Sequence, residues 1–219
     1  MKALVYVEGP SDRDALPKIL RPIIETAKQN RIGIRFLPLG SKSSILRDAA
    51  QKAAGHLAEH PADFVFVLPD LYPMACYDGT RDRHRSLAEL RALLESRFHE
   101  QAAKVRVSEE ARGHFKVHCL KHDLEALLLA ARDVLKQRLK TKDALQHQWR
   151  LPVEDQNDEK SPKYIVDDLF TKYLKRKYTE TTDAPWILER ASLDEVVKAC
   201  PQCFAPFVGD LEAIASGAV

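Results

Sequence analysis

The chain has 219 residues, 45% hydrophobic and 30% charged, with a formal charge of +2. That length suits one large domain or one domain with a helical annex, and so even a balance excludes a generally basic nucleic-acid binder, so any basic surface has to be local. No segment approaches the roughly 20 apolar residues of a membrane span, and the short strand-like run after Lys2 is too brief for a signal peptide, which makes the cytoplasm the expected compartment.

Ala3-Leu4-Val5-Tyr6-Val7 reads as a buried strand ending on Glu8-Gly9-Pro10-Ser11-Asp12. Apolar residues then recur at Leu16, Ile19, Leu20, Ile23, Ile24 and Ala27, a helical stripe with Ser11 as N-cap, Asp14 three residues on, and a kink expected at Pro22. A second strand, 34–39, ends at Gly40 and a Ser-rich turn. An Ala-rich helix follows over 44–59, then a third strand, 63–68, that stops at Pro69-Asp70. This β-α-β-α-β order with short connections predicts a parallel sheet. After a polar stretch over 71–85 come a helix over 86–101, a strand over 114–120 and a buried helix over 123–130. A Lys/Arg-rich helix or helix pair is expected over 133–150. A turn-rich segment, 154–162, precedes helices over 163–178, 192–200 and 204–215. The expected architecture is an α/β, Rossmann-like, mostly parallel four-stranded sheet flanked by helices (1–150), with a helical C-terminal extension packed on it (151–219).

Two strands that each deliver an acid at the carboxyl tip form a common arrangement in α/β active sites, because such sheets bind ligands outside those ends. Glu8, Asp12, Asp70 and Glu125 lie at element boundaries, with Asp78 and Asp123 as neighbours. Singly, each is explained by helix capping. Jointly they point to a divalent cation that relieves their repulsion.

V-E-G-P-S-D after the first strand resembles the opening motif of the TOPRIM fold. P-D-L-Y after the third strand resembles its Asp-x-Asp segment, and K-H-D-L-E-A-L-L-L-A the later segment in which a Glu opens a helix. With F-T-K-Y-L-K-R-K-Y and C-P-Q-C-F-A-P-F, the chain is similar to a small stand-alone TOPRIM-like family of unknown function, related to the overcoming-lysogenisation-defect nucleases. The resemblance implies Glu8 as a metal ligand or proton shuttle, and Asp12, Asp70 and Glu125 as further ligands of Mg²⁺ or Mn²⁺. It also implies a nuclease acting on DNA or RNA, with a separate ATPase partner and a role in antiphage defence. Tyr72 stands where a second Asp is expected, and a phenol is a poor ligand for a hard ion. Either Asp78 substitutes, or one metal is held weakly, or the module is catalytically degenerate and binds a partner protein or nucleic acid.

Lys121 and His122, beside Glu125, are candidates for stabilising charge or donating a proton; the ordinary alternative for His122 is a surface residue at a strand end. Gly9 would let the backbone approach a phosphate closely. Basic residues at Arg81, Arg83 and Arg85, and at Lys172, Lys175 and Arg176, are candidate phosphate contacts, with Tyr173 and Tyr178 placed to stack on bases. A solvated helix face explains the second group equally well. The lone C-P-Q-C pair, Cys200 and Cys203, lacks the further ligands of a zinc site and reads as two thiols beside a helix end. No Walker loop occurs, so any ATPase function belongs to a partner. The composition is compatible with a homo-oligomer and does not specify one.

Overall fold

The computed structural model describes residues 1–156 and 160–218. Strands β1 (Lys2–Val7), β2 (Gly33–Pro38), β3 (Phe64–Leu68) and β4 (Phe115–Val117) form one sheet in the order β2-β1-β3-β4. Every pairing is parallel, as the helical crossovers between successive strands require. The fourth strand is shorter than the 114–120 expected. Pairing lapses after Val117 and resumes as a single bridge between Asp70 and Leu120.

The first expected helix is two, α1 (Pro10–Ile19) and α2 (Arg21–Gln29), broken at Leu20. Pro22 lies in the first turn of α2, where its missing N–H leaves no bond unmade. Gly9 rather than Ser11 precedes α1, and Asp12 rather than Asp14 closes the capping box, its Oδ2 accepting the Gly9 N–H at 2.9 Å. Next come α3 (Lys42–Glu59), α4 (Leu87–Val105), α5 (Glu109–Arg112), α6 (Glu125–Ala130) and α7 (Arg132–Arg138). The helix expected over 133–150 ends at Arg138, and Lys140 turns left-handed at φ 55°. The C-terminal helices are α8 (Pro162–Leu174), α9 (Glu180–Leu188), α10 (Leu193–Ala199) and α11 (Phe204–Ala215). Helix α8 stops short of the expected residue 178 because Lys175 adopts φ 57° at its C-cap. Helix α9, with Pro185 inside it, was not expected. The turn-rich stretch expected over 154–162 lies partly outside the described residues.

Alternation along β1 divides the interior in two. Ala3, Val5 and Val7 face a core shared with Leu16 and Ile19 of α1, Phe170 of α8, Ile187 of α9 and Phe207 of α11. Leu4 and Tyr6 face Ile45 and Ala49 of α3 and Leu90 and Leu94 of α4. Helices α1 and α2 share that side of the sheet with the C-terminal helices: α11 sets Phe207 edge-on to Phe66 of β3, and α9 packs along α1 at the rim where the acids emerge.

Candidate functional site

The strand order reverses at β1, which connects to β2 on one side and pairs with β3 on the other. That switch point is where open parallel sheets leave a crevice. Val7 is in register with both Pro38 and Leu68, so the chain leaves all three strands at one level. Gly40, at φ 106°, makes the turn that a side chain would strain, and returns its N–H to the Glu8 carbonyl at 2.8 Å. A cleft of about 330 Å³ opens there, lined by Glu8, Lys42, Asp70, Tyr72, His122 and Asp123 among others.

The acids feel one another. Asp70 is held well above the usual carboxylate range, first by burial and then by the negative charges of Glu8, Asp12, Asp123 and Glu125. Burial also raises Glu8 and Asp12 opposes its ionisation further, whereas the Asp70 N–H, which donates to Glu8 Oε1 at 2.8 Å, and the Lys42 charge favour it. Asp12 is pushed up to about 6, by burial and then by Glu180 and Asp123, against its bond from Gly9 and the Lys163 charge. Asp123 is raised by burial, with Lys163 opposing. Glu125, the first residue of α6, is 0% exposed and pushed up to about 8, by burial and then by Asp123. Both its carboxyl oxygens and the Tyr178 hydroxyl are buried and meet no partner at good hydrogen-bond geometry, although the two side chains lie close enough to act on one another. Such an orphan is costly unless it holds a proton or meets a cation.

Among the described residues, no three His, Cys, Asp or Glu side chains converge tightly enough to enclose a metal ion. An all-oxygen donor set suits a hard cation, and Mg²⁺ in particular keeps much of its water and takes only one or two carboxylates. The residues fit a hydrated ion lodged against Glu8 and Asp70, with Glu125 as an unsatisfied acid nearby, and do not fit a dehydrated cage.

The other expected site residues are dispersed. Asp78 is exposed and faces Arg83 at 3.6 Å and Arg85 at 3.4 Å, so it does not replace the missing second Asp. Lys121 Nζ donates to Asp155 at 2.9 Å and to Gln202, away from the acids. His122 is buried rather than at the surface, and its ring lies flat on Tyr72, with centroids 4.9 Å apart and planes at 10°. Burial pushes its pKa down to about 4, so at neutral pH it is a neutral imidazole and not an imidazolium that could serve as an acid. Gly9 has an ordinary extended conformation, and a Cβ there would meet only normal van der Waals contacts, so the fold does not demand a glycine.

The basic groups also separate. Arg81 lines a different depression with Arg47 and Arg97, between α3 and α4. Lys172 pairs with Asp168 at 2.7 Å. Arg176 is taken up by the buried Asp183 at 2.7 Å and covers the Phe170 ring, a structural role. Tyr178 is buried edge-on to Phe170 and cannot stack on a base, and the Tyr173 hydroxyl accepts the Gln146 N–H. Of the two thiols at the helix ends, Cys203 meets a third, Cys119, at 3.2 Å between sulfurs.

Sequence reasoning missed Lys42, Lys163 and Glu180. Lys42 follows the tip of β2 as Glu8 and Asp70 follow theirs, so the strand-end rule applied to the S-K-S-S turn would have found it. Lys163 of α8 and Glu180 of α9 pair at 3.1 Å and act on Glu125 and Asp123. They lie at no strand end, and nothing local marks them.

A family model described as a domain of unknown function (DUF4276) matches residues 7–212. No curated protein matches the chain. Among solved structures, the C-terminal region of the Xanthomonas campestris pv. campestris OLD protein aligns in its iodine-phased form with a TM-score of 0.47 and 15% identity, over 98% of this chain and 95% of that one. Its mercury-phased form aligns with a TM-score of 0.47 and 12% identity, over 98% and 96%.

Proposed function

The chain belongs to the DUF4276 family, and we propose that its acidic cleft makes it a TOPRIM-like nuclease that uses Mg²⁺ or Mn²⁺ to hydrolyse phosphodiester bonds in DNA or RNA. The observation that supports this reading is the mutual repulsion at the sheet edge, where Asp70 is opposed by four other carboxyls drawn from two further stretches of chain. Nothing in packing calls for that arrangement, since an apolar or capped rim would fold at lower cost.

Glu8 and Asp70 would hold the cation, with Asp12, Asp123 and Glu125 around it. A bound divalent ion supplies a Lewis acid for a phosphoryl oxygen and lowers the pKa of a coordinated water. Asp12 keeps the Gly9 backbone in place, and the absence of a side chain at Gly9 leaves room for a phosphate to approach. Glu125 carries a proton on its carboxyl at neutral pH that cation loading would release. His122 holds the Tyr72 ring at the wall of the cleft. Arg81, Arg83, Arg85 and Lys175 stay exposed and remain the candidate backbone contacts.

The test is cleavage of single- and double-stranded DNA and RNA with Mg²⁺ or Mn²⁺. Glu8→Ala and Asp70→Ala are each expected to lose about 100-fold or more of the rate. Cleavage unaffected by both changes would refute the site. The place of Tyr72, stacked on His122 where a second carboxylate would serve, favours a second reading, a binding module without catalysis. That reading predicts nucleic-acid or partner binding by a wild type that never cleaves, and cleavage gained on Tyr72→Asp.

A further inference from the structure

Lys42 is the first residue of α3, follows the N-cap Ser41 and is 5% exposed. Its Nζ donates to the carbonyls of Leu71 at 2.6 Å and Pro73 at 3.1 Å, in the turn that leaves Asp70. The same nitrogen stands 5.0 Å from the centroid of the Tyr77 ring. An ammonium group so enclosed, with two of its three donors on neutral carbonyls, keeps its charge only beside anions. Burial pushes the Lys42 pKa down, and the negative charges of Glu8 and Asp70, which line the same cleft, oppose that fall. Two divalent ions about 4 Å apart need carboxylates on both flanks to share them. Here the α3 flank is filled by Lys42, the position two residues after Asp70 is the Tyr72 ring, and Asp12 is committed to the Gly9 N–H.

We propose that Lys42 is a positioning residue that stands in for a second divalent ion: its ammonium clamps the 71–73 turn and balances Glu8 and Asp70, so the cleft loads one ion per chain. This rests on the metal-dependent reading above and specifies how many cations that site accepts. Lys42 touches neither substrate nor water in this role; it acts through Asp70 and Glu8.

The experiment is a Mn²⁺ titration of the full chain, counting unbound ion by electron paramagnetic resonance, with folding checked by circular dichroism. Wild type is expected to bind one ion. Lys42→Gln keeps a donor for the turn and removes the charge. It is expected either to bind a second ion or to hold the first at least about tenfold more tightly. Lys42→Arg keeps the charge and is expected to match wild type, which decides the matter if the Gln variant does not fold. Two ions in wild type or in Lys42→Arg would overturn the proposal. So would a folded Lys42→Gln with unchanged stoichiometry and affinity, or one that no longer binds. A wild type that binds no ion would instead sink the metal-dependent reading itself, and this inference with it.

Discussion

Replacing Glu125 by Gln should make the protein more resistant to alkaline unfolding. The carboxyl is 0% exposed, has only the poorly aligned Tyr178 hydroxyl beside it, and is pushed by burial up to about 8 from an ordinary 4.5. A folded-state pKa raised in this way adds stability that is complete below about pH 4.5 and fades as the pH climbs through about 8. At about 1.4 kcal/mol per pH unit, the most the fully ionised carboxyl can remove is about 5 kcal/mol. The Gln amide is equally buried beside Tyr178 but does not titrate, so the difference between the two proteins isolates the charge. Urea unfolding at about pH 5 and about pH 9 reads it directly. The two midpoints should lie close together in acid, and the variant's should stand well above wild type in alkali. Saturating Mg²⁺ should narrow the alkaline gap by stabilising the ionised wild type through binding. Parallel stability curves for wild type and variant across that range would refute the reasoning, because they would mean that the Glu125 carboxylate is already solvated or paired.

Two further outcomes test the scaffold around the site. Asp183 is 0% exposed and accepts from Arg138, Arg176 and the Thr179 N–H at 2.6–2.8 Å, so Asp183→Ala strands two guanidinium groups and should cost about 3 kcal/mol in urea unfolding. If Arg176→Ala instead weakens nucleic-acid binding while leaving stability unchanged, the structural assignment of that arginine is wrong. Glu154 accepts the backbone N–H groups of Gln202, Cys203 and Phe204 at the start of α11, so Glu154→Ala should cost about 2 kcal/mol by the same measurement, and a loss below about 0.5 kcal/mol would contradict the cap.

The strands and their parallel pairing were legible because each is a short apolar run closed by a turn, and short helical crossovers leave few alternatives. Glu8 and Asp70 were legible for the same reason, since a carboxylate at a strand tip has a known destination. Helix ends were less so. Lys140 and Lys175 stop their helices by turning left-handed, a choice that Lys does not advertise, and Pro185 hid α9 although the helix tolerates it. Charge assignments were the least legible. Arg176 looked like a phosphate contact until the fold supplied Asp183, and Asp78 looked like a ligand until Arg83 and Arg85 claimed it. Partners so distant in sequence leave no local pattern. Lys163 and Glu180 shape the electrostatics of Glu125 from across a helical layer whose contacts only the folded chain defines.

Because α8, α9 and α11 complete the core that α1 and α2 begin beside Ala3, Val5 and Val7, that core stays unfinished through much of translation. When about the first hundred and fifty residues have left the ribosome, part of that greasy layer still faces solvent. The acidic pocket cannot mature until the last third of the polypeptide has emerged and swung back over residues made at the beginning.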